Sequence, residues 1–310
     1  MKKIAFVFPG QGSQYVGMGK EVADNYSDAR EIFMKADQVL ERRLSELCFN
    51  GPEESLTDTR NAQPGILTVS VALLQVFKEE GIKPDFVAGH SLGEYSALVA
   101  AEVLDFATAI KLVQKRAELM AGSDPEGKGG MAAVLGLSRE SLSACLAEIQ
   151  GEEKVEAANF NCPGQIVISG AKSGLVKAQE LVTAQGGKFI PLAVSGPFHS
   201  SYMKRAADDF QAHLTNIPWR EPVVPVIANI TARPYLREQI VENLYRQVFG
   251  PVLWEDTIAY LAQNGVEVFV EIGPGKVLTG LIKKTIKDAL VLNCADLASL
   301  KKALEILKEV

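Results

Sequence analysis

Ser91 stands in Gly89-His90-Ser91-Leu92-Gly93, a G-x-S-x-G run with the short apolar stretch Asp85-Phe86-Val87-Ala88 before it and an Ala- and Leu-rich stretch, Glu94 to Glu102, after it. Strand, sharp turn and helix is the context in which such a serine serves as a nucleophile. Glycines two positions either side of it let strand and helix approach closely, and the turn projects the hydroxyl at a helix N-terminus. Unpaired N–H groups and the positive end of the helix dipole favour developing negative charge there. Alone, the five residues also fit, less well, a tight turn with a bystander serine.

A serine nucleophile needs a base, and the chain offers three histidines, His90, His199 and His213. His90 precedes the serine, so in an elbow its side chain leaves in another direction. His213 lies in Ala206 to Leu214, a helical stretch with a charged face, and reads as a surface histidine. His199 sits in Ser195-Gly196-Pro197-Phe198-His199-Ser200, a Gly-Pro turn of the kind in which scaffold-held loops carry catalytic side chains. It is the candidate base.

Arg116 is informative for a different reason. On a helix from Phe106 to Met120, turning by about 100° per residue, Phe106, Ile110, Val113, Ala117 and Met120 form the apolar stripe and Arg116 falls at its edge. A guanidinium aimed toward a core is costly unless paired, and its planar fork matches a carboxylate held by two parallel hydrogen bonds. That carboxylate is either a ligand's or an internal Asp or Glu. The loop Pro9-Gly10-Gln11-Gly12-Ser13-Gln14 follows the first strand and points the same way as the elbow if both strands are parallel neighbours. Backbone N–H groups of Gln11 and of Leu92 would then make an oxyanion hole. A phosphate loop is disfavoured, because neither G-x-x-x-x-G-K-[ST] nor G-x-G-x-x-G is present in that loop.

The elements that must position these residues alternate strand and helix. Ile4 to Phe8 reads as a strand, Gly19 to Phe49 as helical, Pro64 to Glu80 as a helix and Asp85 to Ala88 as a buried strand. That alternation favours a mostly parallel sheet covered on both faces. After a break rich in Gly and Pro at 122–130, shorter units follow: strand Met131 to Leu137, helix Arg139 to Ile149, strands Val155 to Phe160 and Gln165 to Ser169, helix Ser173 to Ala184, strand Lys188 to Val194. The order βαββαβ is the ferredoxin-like split motif. The expected fold class is therefore α/β: a large α/β-hydrolase-like domain, 1–126 and 196–310, with a small inserted ferredoxin-like domain, 127–195. Val223 to Asn229, Val266 to Ile272 and Ala289 to Asn293 read as further strands, and Leu297 to Lys308 as a C-terminal amphipathic helix.

The chain has 310 residues, 47% hydrophobic and 23% charged, enough for a sizeable core and incompatible with wholesale disorder. Its 32 Lys and Arg against 38 Asp and Glu give a formal net charge of -6, which argues against a broad nucleic-acid-binding surface. The four cysteines, Cys48, Cys145, Cys162 and Cys294, form no CxxC pair; they suit a reducing compartment and argue against a zinc site. No apolar run approaches the roughly 20 residues that span a bilayer. The expectation is a cytoplasmic protein with no membrane association and no metal.

Taken together, Phe8-Pro9-Gly10-Gln11-Gly12-Ser13-Gln14, Gly89 to Tyr95, Gln114-Lys115-Arg116, Asn159-Phe160-Asn161-Cys162-Pro163-Gly164-Gln165, Gly196 to Ser200, Gln247 to Trp254 and Glu271 to Leu278 resemble the malonyl-CoA:acyl carrier protein transacylases, the acyltransferases of bacterial fatty-acid synthesis. The resemblance covers nearly the whole chain. It implies malonyl-CoA and acyl carrier protein as partners, no cofactor, and a monomer. It also implies Ser91 as nucleophile, His199 as general base, Gln11 and Leu92 N–H groups as oxyanion hole and Arg116 as clamp on the malonyl carboxylate. The main-chain carbonyl of Gln247 would orient the histidine in place of a triad acid, with His90 and Phe198 at the substrate. Phe198 resembles the malonyl-selective form of related polyketide acyltransferases, where a larger α-substituent would be crowded.

Carrier protein is strongly acidic in that family, so Lys188, Lys276, Lys283 and Lys284 are candidates for local positive charge at the cleft mouth. The alternatives are a stand-alone polyketide-synthase acyltransferase, a serine thioesterase or hydrolase sharing the elbow, and an acyl-binding protein that needs neither Ser91 nor His199. Against a hydrolase stand the inserted unit and an arginine where an esterase offers an apolar acyl pocket.

Overall fold

The computed structural model describes residues 2–310. Five strands, β1 (Lys3–Phe8), β2 (Phe86–Gly89), β7 (Val226–Ile227), β8 (Val266–Ile272) and β9 (Leu290–Cys294), form one sheet in the order β7-β2-β1-β8-β9, and every neighbouring pair is parallel. Alternate residues of a strand face opposite sides. Phe6 and Phe8 accordingly join one buried core with Val87, Val268 and Val270, while Ala5 and Val7 join a second with Ala88, Ile227 and Phe269. Burial on both faces explains why β1 reads as a continuous apolar run.

The remaining strands, β3 (Gly129–Leu135), β4 (Val155–Cys162), β5 (Gln165–Ala171) and β6 (Lys188–Pro191), make an antiparallel sheet in the order β4-β5-β3-β6, the ferredoxin-like arrangement. Its helices are Arg139–Ala147, whose N-cap Ser138 accepts from the Ser141 N–H, and Lys172–Ala184. Ala132, Val134, Ile166 and Ile168 turn inward to a core of this unit. Met131, Ala133 and Val167, on the alternate face, belong to the core of the large unit instead. That face of the second sheet thus packs on the large unit.

Several boundaries differ from the sequence reading. The helix expected from Pro64 begins at Thr59, because Asp58 caps it by accepting from the Arg60 N–H, and Pro64 lies inside it. Gly19 to Phe49 is three helices, Lys20–Asn25, Ser27–Leu40 and Leu44–Asn50. The last strand of the small unit stops at Pro191 rather than Val194, and 192–196 crosses back to the large unit as an irregular segment. Likewise Val223 to Asn229 shrinks to Val226–Ile227, since Pro225 cannot donate to the ladder; its carbonyl accepts from the Val87 N–H at 2.9 Å. Among the described residues no helix is long and apolar enough to cross a membrane.

Candidate active site

The elbow after β2 depends on close backbone approach. A Cβ on Gly89 would sit 1.9 Å from the Gly93 carbonyl carbon, and one on Gly93 would sit 2.0 Å from the Phe8 oxygen. Only glycine lets the helix Gly93–Ala100 start against the end of β1. Ser91 between them holds φ 51°, a left-handed conformation that costs an ordinary residue energy and persists where the surroundings enforce it. Asn229 enforces it: its Oδ1 accepts from the Ser91 N–H at 2.7 Å and its Nδ2 donates to the Gly89 carbonyl at 2.6 Å.

The Ser91 hydroxyl lies 2.7 Å from His199 Nε2. On the far side of the ring, Nδ1 is 2.9 Å from the Gln247 carbonyl and 3.2 Å from that of Gly250. Since carbonyls only accept, Nδ1 carries the proton and Nε2 is free to take one from serine. Burial, and then the positive field of Arg116, push the imidazole down to about 3, so it stays neutral with its Nε2 lone pair unprotonated. His199 also holds a left-handed backbone, φ 57°, in a turn closed by Ser200 Oγ donating to the Pro197 carbonyl at 2.6 Å.

Arg116 projects from the helix Phe106–Ala121, whose N-cap Asp105 accepts from the Thr108 N–H. Its residue exposure is 1%. The guanidinium donates to Gln63 Oε1 at 2.6 Å, Gln247 Oε1 at 2.9 Å and Ser91 Oγ at 3.2 Å. Its Nε has no acceptor. Among the described residues no carboxylate comes within salt-bridge distance, so the internal ion pair that the helix pattern left open is not what occupies this fork. Two amides and the Ser91 hydroxyl hold it, and two of its five N–H donors, that of Nε among them, remain for something else.

These side chains face a cleft of about 240 Å³ between the two sheets. Gln11, His90, Ser91, Leu92, Arg116, Phe198 and His199 all line it, and Gln247 lies just behind, bonded to both Arg116 and His199. The eight residues that the resemblance assigns to the site therefore converge. Among the described residues the N–H groups of Gln11 and Leu92 have no acceptor, as donors awaiting an oxyanion require. The Gln11 side chain is held by Thr59, which also meets Ser195 Oγ at 3.0 Å. His90 turns away from Ser91, bonding Asn161 through Nε2 at 2.9 Å and standing edge-on to Trp254.

The sequence reading missed Gln63, Asn229 and Glu94. Gln63 sits one residue before Pro64, where nothing in the pattern marks a functional side chain. Glu94, fully buried, follows Gly93 inside a run quoted only for its serine. His213 is exposed, and all four cysteines are free and buried. Lys276, Lys283 and Lys284 are exposed at the helix Val277–Thr285, whose Val277, Leu278 and Leu281 line the cleft, whereas Lys188 lies at the end of β6 remote from the cleft residue Leu192.

Residues 5–306 match the model of the acyl transferase domain. The malonyl CoA-acyl carrier protein transacylase of Bacillus subtilis is 48% identical over 312 aligned positions, covering 100% of this chain and 98% of that one. The crystal structure of the Clostridium perfringens enzyme of the same name superposes with a TM-score of 0.96 at 42% identity, over 99% of this chain and 98% of that one. A malonyl-transacylase solved in complex with a type II polyketide acyl-carrier protein gives 0.95 at 42% identity, over 98% and 99%.

Proposed function

This chain belongs to the malonyl-CoA:acyl carrier protein transacylases of the acyl transferase family, and from that membership we propose that it moves the malonyl group from malonyl-CoA to the phosphopantetheine thiol of acyl carrier protein, for fatty-acid synthesis. Ser91 attacks the thioester carbonyl as His199 Nε2 takes its proton. The tetrahedral oxyanion sits between the N–H groups of Gln11 and Leu92. The C–S bond then breaks, His199 returns the proton to the departing thiol, and a malonyl-Ser91 ester remains. The carrier's thiol enters, gives its proton to the same histidine, and leaves as the malonyl thioester by the reverse steps, which is a ping-pong scheme.

Arg116 receives the free malonyl carboxylate and so fixes the carbonyl at the nucleophile. The Gln247 carbonyl orients His199, and His90 and Phe198 shape the wall around the acyl group. Neither half-reaction requires a cofactor of the enzyme's own, and we take the chain to act as a monomer. We place the enzyme in the cytoplasm, where its buried thiols stay reduced. We take 127–195 as the inserted unit and 1–126 with 196–310 as the catalytic one, with Lys276, Lys283 and Lys284 as the basic rim that meets an acidic carrier.

The observation that carries this reading is a serine–histidine dyad sharing its cleft with a buried arginine that no carboxylate matches. A hydrolase of neutral esters has no use for that charge. The test is transfer from malonyl-CoA to phosphopantetheinylated carrier, read as the carrier's mass. The native chain converts it and Ser91→Ala does not; equal conversion by both removes the proposal.

A further inference from the structure

Glu94 is fully buried beneath the elbow, and the catalytic scheme above gives it no task. Its Oε1 accepts from the Tyr235 hydroxyl at 2.5 Å and the Asn229 N–H at 3.0 Å, and its Oε2 accepts from Gln247 Nε2 at 2.6 Å. That same Gln247 side chain presents its Oε1 to Arg116 at 2.9 Å. One amide therefore joins a buried carboxylate to a buried guanidinium, and among the described residues neither ion has a partner of opposite charge within salt-bridge distance.

The other titratable groups around Glu94 are neutral. Burial pushes Tyr95, beside it on its own helix, and Tyr235, from the segment after β7, upward. It pushes His199 and His90, from the re-entry loop and the elbow, downward. Arg116 keeps its charge, as a guanidinium does in proteins. The cluster is thus electrically balanced while Glu94 is ionised, and a substrate carboxylate arriving at Arg116 adds one uncompensated negative charge to a low-dielectric interior.

We propose that Glu94 is the resting counter-charge of Arg116, and that it takes up one proton from solvent when a substrate carboxylate takes its place beside the guanidinium. Of its hydrogen-bond partners, the Tyr235 hydroxyl can rotate to accept from the protonated acid. Burial already pushes Glu94 up to about 7, close to where a modest change in field switches its state. Glu94 is a positioning residue here, acting through Gln247 and never touching the acyl group. The inference rests on the reading of Arg116 as the carboxylate clamp.

Binding that takes up a proton strengthens as pH falls. In Ser91→Ala, which binds thioesters without reacting, the affinity ratio of malonyl-CoA to acetyl-CoA is expected to rise about tenfold from pH 8 to pH 6. Acetyl-CoA cancels the titration of the coenzyme phosphate. Calorimetry in two buffers of different ionisation enthalpy should record proton uptake with malonyl-CoA and none with acetyl-CoA, and infrared difference spectra a new protonated-carboxyl band. In Ser91→Ala/Glu94→Gln the ratio becomes independent of pH and the band vanishes. A flat ratio in Ser91→Ala, absence of the band, or a slope that survives Glu94→Gln overturns the proposal. Should Glu94→Gln fail to fold, the slope and the band in Ser91→Ala decide it together. The clamp reading fails separately, if Ser91→Ala/Arg116→Ala still prefers malonyl-CoA over acetyl-CoA.

Discussion

Ser91 and His199 meet at 2.7 Å with both backbones in the left-handed region, φ 51° and 57°. Two non-glycine residues in that conformation mark a pair whose geometry the surrounding fold dictates. If they act as one unit, Ser91→Ala and His199→Ala each lower malonyl transfer by roughly 10⁴-fold or more, and the double variant is little worse than either. Single-turnover transfer rates, with circular dichroism to confirm folding, check this.

The neutral state of His199 fixes a pH profile. Its folded value of about 3 lies below the usual 6.5, so the base is unprotonated throughout the neutral and mildly acidic range. At saturating malonyl-CoA the rate of serine acylation should stay level from pH 8 to about pH 5, with no fall near the ordinary histidine value. The same depression means the unfolded chain binds this proton first. The histidine's part in stability is therefore complete above 6.5 and is lost as pH falls toward 3. Rapid-quench acylation and denaturant midpoints against pH measure both.

Arg116 and Gln63 should separate substrates. Arg116→Ala removes the one Lys or Arg that lines the cleft among the described residues, and losing the partner of a desolvated carboxylate costs about 3 kcal/mol or more, a factor above roughly 100 in kcat/KM for malonyl-CoA. Acetyl transfer should change far less. Gln63→Ala frees one N–H of the guanidinium and should shift the same ratio in the same direction by a smaller factor.

Close packing at the elbow predicts a different failure. Gly93→Ala places a methyl 2.0 Å from the Phe8 carbonyl, so β1 or the helix Gly93–Ala100 must move. We expect a loss of stability beyond about 3 kcal/mol, with activity lost alongside it. Asn229→Ala leaves the Ser91 N–H without its acceptor and should cost about 1–3 kcal/mol. Thermal melts rank the two.

The sheet strands, the split βαββαβ unit and the convergence of Ser91, His199 and Arg116 were legible because each left a local trace: apolar runs, turn glycines, a charge on an apolar stripe. The helix start at Asp58 was not, since Pro64 is a stronger punctuation mark than a capping aspartate. Asn229 and Glu94 were hidden for another reason. Their roles are contacts across 135 to 153 positions of sequence, made by buried polar groups whose partners only the fold brings near. Gln247 was expected through its backbone alone. That its side chain also ties Arg116 to Glu94 follows only from three-dimensional packing.

Transfer by this chain turns on a covalent malonyl group carried by Ser91. Intact-protein mass after mixing the native chain and Ser91→Ala with malonyl-CoA, before and after adding phosphopantetheinylated carrier, tests it directly. The prediction is one malonyl adduct on the native chain, none on Ser91→Ala, and discharge of that adduct onto the carrier. An adduct that forms equally on Ser91→Ala, or one lost to water at the same rate with and without carrier, contradicts it.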